Sequence, residues 1–108
     1  MEYKQAMEKM TFLMCGEDIC RLNFVENEDG SIKVVVDLHG LSKRNAIRML
    51  SNIMVLCRFQ FELEVVHGFN HGTAIKEYIF KEMHNDRVVH KQSPFYNPGI
   101  TDLMIAAA

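Results

Sequence analysis

The spacing of hydrophobic and polar residues changes along the chain, and each change predicts a new element. Over residues 2–14 the apolar side chains recur at steps of three and four, which is typical of a helix with one apolar side, and Gly16 is expected to end it. Residues 19–25 alternate as a strand does, an Asn-Glu-Asp-Gly turn follows at 27–30, and a β-branched run occupies 32–36. These two strands are predicted to form a hairpin.

From residue 42 onward, helical and strand patterns take turns. Ser42 is placed to cap a helix that runs to about Arg58. Residues 59–65 alternate between apolar and polar side chains, which predicts a strand with one buried face and one polar face. A second helix is predicted from residue 72 to about residue 85. A sheet covered by helices on one side only is therefore expected.

Two short strands are predicted near the end of the chain, at residues 87–91 and 101–105. The segment between them, residues 92–99, contains both prolines and a glycine, which exclude a regular element there. Because helices and strands alternate through the centre of the sequence, the pattern indicates an α/β fold.

Size and composition favour one globular domain. The chain has 108 residues, of which 48% are hydrophobic and 24% charged, close to the average for globular proteins. No apolar run is long enough for a membrane helix and the first residues lack a secretory pattern, so a cytoplasmic protein without membrane contact is expected. Three cysteines without framework spacing are interpreted as reduced thiols.

The charges are unevenly distributed. The net charge is −2, but residues 1–32 carry three basic and seven acidic side chains, whereas residues 33–91 carry nine basic and six acidic ones. The central segment is therefore mildly basic, which permits a surface that faces phosphate. Ordinary solvated charge explains the same distribution equally well.

Two loops, each following a predicted strand, hold the residues of chemical interest: Asp37-Leu38-His39-Gly40 and His67-Gly68-Phe69-Asn70-His71-Gly72. The carboxyl ends of parallel strands share one edge of a sheet, where ligands bind. If these strands are neighbours, Asp37, His39 and His67 come within reach of one phosphodiester. The glycines of both loops, Gly40, Gly68 and Gly72, allow close approach of phosphate, and the helix start at Thr73 offers free N–H groups.

This set of side chains suits the chemistry of phosphodiesters. Histidine exchanges protons near neutral pH, and a nearby carboxylate orients it and holds its tautomer. In RNA, one histidine would activate the 2′-hydroxyl while a second protonates the leaving oxygen. Alternatively, Asp37 with one or more of His39, His67 and His71 holds a divalent ion such as magnesium. The competing structural interpretation is that Asp37 caps a turn and that the histidines are only hydrogen-bonded.

The same residues resemble a known family. Val36-Asp37-Leu38-His39-Gly40-Leu41-Ser42, followed one helix and one strand later by His67-Gly68-Phe69-Asn70-His71-Gly72, is similar to the small MutS-related (Smr) domain. Its hallmarks are an Asp-Leu-His-Gly motif and a later His-Gly-x-Gly-x-Gly motif. The resemblance covers residues 32–106 and leaves residues 1–31 as an N-terminal extension of a helix and a strand. Asn70 replaces the middle glycine, and asparagine tolerates left-handed backbone better than other residues with a side chain.

The resemblance implies a two-layer α/β (α+β) sandwich with βαβαββ order, a mixed sheet and helices on one face, similar to the carboxyl-terminal domain of translation initiation factor three. Here the N-terminal helix and an extra strand precede it. The resemblance also implies binding or cleavage of DNA or RNA. Carried over by motif, Asp37 and His39 fall on the first signature, and His67, Gly68 and Gly72 on the second.

Three hypotheses follow. The first is an endonuclease with Asp37, His39 and His67 as catalytic residues. The second is a binding module for structured or single-stranded nucleic acid. The third is a protein-interaction domain that uses the apolar side of its N-terminal helix to pair with a second copy or to bind a partner. Phe69, Phe95 and Tyr96 are interpreted as loop packing in preference to base-stacking platforms, although exposed aromatic rings next to a basic surface are what the binding of single strands uses. The residues expected to contact phosphate or nucleic acid are Gly40, Lys43, Arg44, Arg48, Gly68, Asn70, His71, Gly72, Thr73 and Lys76.

Overall fold

The computed structural model describes residues 2–68 and 73–108. Its helices are α1 (Glu2–Leu13), α2 (Gly16–Cys20), α3 (Lys43–Leu56) and α4 (Ala74–Glu77), which continues as a π-helix over Tyr78–Glu82. Its strands are β1 (Leu22–Glu26), β2 (Ile32–Asp37), β3 (Phe61–Val66), β4 (Val88–Gln92) and β5 (Ile100–Ile105). No helix in these two described ranges is long and apolar enough to cross a bilayer.

The five strands form one mixed sheet in the order β1-β2-β3-β5-β4. The central pair, β2 and β3, is parallel, and the other pairs are antiparallel. This is the mixed α/β sandwich that the sequence predicts, with the βαβαββ order from β2 onward and the extra strand β1 at one edge. In the parallel pair Asp37 lies opposite Val66, so the loops that follow β2 and β3 leave from the same edge of the sheet.

One face of the sheet is buried under the helices. Val34 and Val36 of β2 and Leu63 and Val65 of β3 are fully buried, and the residues that alternate with them are partly exposed. Burying apolar side chains at every second position fixes the register, because a one-residue slip would turn them to solvent. On the opposite face, polar pairs such as Lys33 with Glu64 (Nζ to Oε1, 3.0 Å) cover the strands.

The chain before β2 belongs to the same core. Ala6, Met10 and Met14 are buried with the residues of the sheet, whereas Met7, on the same predicted stripe, is 43% exposed. β1 pairs with β2 along its whole length, which confirms the predicted hairpin. Residues 1–31 and 32–106 therefore share one sheet and one core.

Two predicted boundaries in this region are wrong. Gly16 does not end a helix but begins α2, and the strand starts at Leu22 rather than at residue 19. Glu17 and Asp18 lie in the first turn of α2, where negative charge is favourable to a helix start. The alternating pattern at residues 19–25 is therefore helical in its first part.

The later helices also differ in part from the prediction. Ser42 caps α3 as expected, since its Oγ accepts from the N–H of Asn45 at 3.2 Å. The second predicted helix is α-helical only to Glu77, and its next turn widens because the N–H of Met83 donates to the carbonyl of Tyr78 at 2.8 Å, five residues back. The carbonyl of Ile79, released by this shift, accepts from Nζ of Lys91 at 2.6 Å.

The three cysteines are free thiols, as expected. Cys15 and Cys20 are exposed and Cys57 is buried. Burial raises the pKa of Cys57 to about 12, against a weaker opposing effect of Arg87. Cys57 is therefore an unreactive packing residue, because the thiolate is the reactive form.

Candidate functional site

The loop after β2 holds a carboxylate and an imidazole in direct contact. Asp37 ends the strand, and its Oδ1 accepts from the backbone N–H of His39 at 3.1 Å and also from Nδ1 of the His39 ring. Asp37 therefore does cap a turn, but the same oxygen also orients the histidine. Gly40 follows with φ 78°, a conformation that glycine adopts without strain, and the turn closes from Leu41 N–H to Leu38 carbonyl at 3.1 Å.

His39 and Asp37 are accessible to a ligand. Their side chains are 65% and 41% exposed. Because Nδ1 of His39 donates to the carboxylate, the lone pair of a neutral ring lies on Nε2. In residues 2–68 and 73–108, Nε2 has no hydrogen-bond partner.

Arg21, the residue between α2 and β1, holds this loop in place. Its Nη1 donates to the carbonyl of Asp37 at 3.0 Å and to the carbonyl of His39 at 3.2 Å, and the Arg21 carbonyl accepts from the Asp37 N–H at 2.8 Å. Arg21 was not predicted as a site residue. The hairpin register could have found it, because Leu22 pairs with Val36 and one further step places Arg21 beside Asp37.

His67, after β3, is held quite differently. It is only 7% exposed, its Nδ1 donates to the carbonyl of Gly68 at 2.8 Å, and its Nε2 accepts from the hydroxyl of Thr101 at 2.8 Å. Both ring nitrogens are therefore engaged inside the protein. The contacts support a positioning role for His67, and its predicted role in proton transfer gains no support from them. Thr101, a polar residue on the buried face of β5, was missed by the sequence analysis.

The two loops touch. A Cβ on Gly68 would lie 3.3 Å from the Cβ of His39, and Gly68 has φ 76°. The carbonyl of Gly99 accepts from the N–H groups of both His67 (2.9 Å) and Gly68 (3.1 Å), which joins the start of β5 to the same edge. The order along the edge is thus His39, Gly68, Gly99, as predicted for strands that are neighbours.

A shallow groove of about 670 Å³ opens beside the first loop. Its lining residues are Gly16, Glu17, Cys20, Arg21, Asp37 and His39. Nη1 of Arg21 donates to two backbone carbonyls, and the carboxylates of Glu17 and Asp37 outnumber this one cation. Because the lining holds two carboxylates and one guanidinium, this groove is poorly suited to phosphate.

The four basic residues that were predicted to contact nucleic acid differ in whether a carboxylate lies beside them. Lys43, the first residue of α3, pairs with Glu82 (Nζ to Oε2, 2.8 Å), and Arg48 lies 3.6 Å from Asp18. Arg44 is exposed, and its side chain makes no ion pair with any residue that the structure describes. Lys76 lies near His67, whose pKa its charge helps to lower.

The remaining predictions fall partly outside the described residues. Phe69, Asn70, His71 and Gly72 are not described. Thr73 is exposed, and its hydroxyl donates to Glu77 at 2.9 Å rather than capping the helix. Among the described residues no three His, Cys, Asp or Glu side chains are placed to hold a metal ion. A divalent ion at Asp37 and the histidines stays a prediction.

The interpretation of the aromatic residues of the last loop as packing is wrong. Phe95 is 99% exposed and Tyr96 is 71% exposed. They occupy the tip of a turn, where no described element covers them. The prolines and glycine correctly predicted an irregular segment but carried no information about which way its side chains point.

The chain matches no protein-family model, no curated protein and no solved structure with which it was compared. Membership of the Smr family therefore stays a prediction. The function proposed below rests on the geometry of this edge of the sheet.

His67 should make the protein less stable in acid. Burial, with a smaller contribution from Lys76, lowers its pKa below the usual value of 6.5 against the opposing effect of the Gly68 carbonyl. Below about pH 6.5 the unfolded chain then binds more protons at this site than the folded chain. The free energy of unfolding therefore decreases as the pH is lowered, until the pH is below the folded-state pKa as well. His67→Gln should weaken this dependence. Urea unfolding at about pH 7 and pH 5 measures it.

The matched control is His90→Gln, which removes an exposed histidine on β4. If His67→Gln and the parent chain lose the same free energy of unfolding between the two pH values, the buried histidine is not the cause.

Proposed function

We propose that this chain binds nucleic acid at the edge formed by the loops after β2 and β3, and that His39 cleaves phosphodiester bonds there with the help of Asp37. The observation that carries the proposal is the exposed pair itself. The carboxylate fixes the ring through Nδ1 and leaves Nε2 directed away from that contact, which is the arrangement of a general base with an orienting group.

Each residue of this edge has a separate role in the proposed reaction. His39 Nε2 takes a proton from the attacking oxygen, and the negative charge of Asp37 stabilises the imidazolium that forms. Arg21 keeps both carbonyls of the turn in place, so the pair does not reorient when it becomes charged. Gly40 and Gly68 lack side chains on the approach to His39 and leave room for a phosphate.

RNA is the substrate that this pair suits best. The 2′-hydroxyl lies next to the phosphorus, so one base is enough to start attack: the bond from O2′ to phosphorus forms, the bond from phosphorus to O5′ breaks, and O5′ takes a proton from solvent. Cleavage of DNA needs an activated water as well. Among the described residues, His67 is engaged by Gly68 and Thr101, and His39 keeps a ring nitrogen without a hydrogen-bond partner, which favours the reaction whose nucleophile belongs to the substrate.

A cleavage assay tests the proposal. Structured and single-stranded RNA and DNA are incubated with the pure protein, with magnesium and with a chelator. We expect cleavage of RNA that persists in the chelator and leaves a 2′,3′-cyclic phosphate. Absence of product from every substrate under both conditions would refute the nuclease function.

A binding module without catalysis is the second candidate. It is supported by the engagement of His67, which leaves His39 as the accessible histidine among the described residues of the two loops, and by Arg44, an exposed cation at the start of α3. In that case affinity should fall steeply with salt while no product appears. For the third hypothesis, pairing through α1, the exposed apolar residues are Phe12 (91% exposed), Leu13 (71%) and Met7 (43%), since Met10 and Met14 are buried and Tyr3 is partly buried.

A further inference from the structure

The last loop presents two aromatic rings to solvent from a fixed turn. The N–H of Asn97 donates to the carbonyl of Pro94 at 3.2 Å, which places Phe95 and Tyr96 at the two central positions of the turn. The rings lie 5.9 Å apart with an angle of 84° between their planes. Such an edge-to-face pair leaves ring faces open to a third flat group.

Both ends of this turn are anchored. Pro94 is buried, and Oδ1 of Asn97 accepts from the N–H of Gly99 at 2.9 Å. The turn therefore holds the two rings in solvent although nothing in the described chain packs on them. What distinguishes this turn from the exposed Phe12 of α1 is that two rings stand side by side in a fixed geometry.

The turn belongs to the edge that carries the proposed active site. It connects β4 to β5, and β5 begins beside the end of β3, where Ile100 pairs with Val66. Gly99 contacts Gly68, and Gly68 contacts His39. β5 lies two strands from β2, a separation of about 10 Å across the sheet.

We propose that Phe95 and Tyr96 form a stacking platform for the unpaired bases of a nucleic acid whose backbone runs along this edge past His39. This inference rests on the proposed function and makes it more specific: the preferred substrate has single-stranded nucleotides next to the phosphodiester at His39. Stacking on aromatic rings tolerates any base, because every base has a π-face.

The size of the platform favours bases over a protein partner. Two aromatic side chains offer about 150 to 250 Å² each, whereas a specific protein interface needs about 800 Å² on each side. The neighbours Ser93 and Pro98 are exposed and add no large apolar side chain. Two rings are, however, enough to hold one or two bases.

A tryptophan reporter tests where the bases lie. The chain has no tryptophan, so Phe95→Trp places a single indole on the platform, and Phe12→Trp places one at a similarly exposed position of α1. An oligouridylate or oligothymidylate of about 12 nucleotides should quench the fluorescence of Trp at position 95 and leave that at position 12 unchanged. Equal quenching at both positions would overturn the proposal.

Affinity measurements test the contribution of the rings. Phe95→Ser with Tyr96→Ser should weaken binding of the same oligonucleotides by about 5- to 150-fold for each stacked base, with no change in the dependence on salt, because no cation is removed. Binding of a fully paired duplex should not change. Since both side chains are exposed, the variant should fold as the parent does, which thermal unfolding checks.

Each outcome decides the proposal. If the parent binds single strands and the double variant binds them equally well, the platform is refuted and the proposed function stands. If the parent binds no nucleic acid even at low salt, both are refuted. If the double variant instead changes the mass of the protein in solution, the turn is an interface between copies and the platform is refuted.

Discussion

Replacing His39 by alanine should lower the rate of phosphodiester cleavage by about 100- to 10,000-fold, the usual contribution of a general acid or base. The expectation follows from the position of the ring, which Asp37 orients while Nε2 meets no described residue. Because the side chain is 65% exposed, its removal should not disturb the fold. Single-turnover cleavage of RNA at saturating protein measures the rate without a contribution from affinity.

Two further variants make this result specific. Asp37→Asn keeps an oxygen that accepts from the His39 N–H but loses the negative charge that supports the imidazolium, so its rate should lie between those of the parent and His39→Ala. His90→Ala removes an exposed histidine of β4 and should cleave at the parent's rate. Undiminished cleavage by His39→Ala would exclude the catalytic role, even if the protein proves to be a nuclease.

Replacing Arg87 by alanine should destabilise the protein by about 3 to 5 kcal/mol, a large share of the stability of an ordinary domain. The guanidinium donates to four backbone carbonyls: those of Ala106 (2.8 Å), Met54 (2.6 Å), Cys57 (2.7 Å) and Phe59 (3.2 Å). These oxygens belong to the end of α3, the loop after it and the residue after β5. No other side chain of the described chain reaches them, so they would be left for solvent to satisfy.

The midpoint of urea unfolding checks this prediction. Arg58→Ala is the matched control, because Arg58 lies in the same loop and its side chain is exposed; its effect should stay within about 0.5 kcal/mol. Arg87→Lys keeps the charge but not the planar fork and should recover only part of the loss. If Arg87→Ala unfolds at the same urea concentration as Arg58→Ala, these hydrogen bonds contribute nothing to stability.

The elements of this fold that depend on repeated burial could be predicted from sequence. Val34 and Val36, like Leu63 and Val65, alternate with polar residues, and the sheet buries them as that period requires. The π-helix could not be predicted in this way. Its wide turn depends on Lys91, because the ammonium of this residue, twelve positions later in the sequence, donates a hydrogen bond to the carbonyl of Ile79. A local pattern contains no information about such a partner.

In the candidate site, too, the local pattern predicted some features, whereas those that depend on distant partners could not be predicted. The sequence placed Asp37 and His39 at a strand end, and parallel pairing of β2 with β3 brought the second loop to them. The motif could not show that the ring of His67 faces inward to Thr101, because the same amino-acid sequence is compatible with an exposed and with a buried histidine. Arg21 lies outside the resemblance altogether, although it donates to both carbonyls of the turn that carries Asp37 and His39.

The β1–β2 hairpin limits how this site could be transplanted. Residues 32–106 contain every motif residue, and a graft of that segment into another protein would appear sufficient. Yet the graft would open the sheet along β2, remove the part of the core that Ala6, Met10 and Met14 supply, and remove the guanidinium that holds the carbonyl of His39. The smallest portable version of the site therefore includes the hairpin and the helices that precede it.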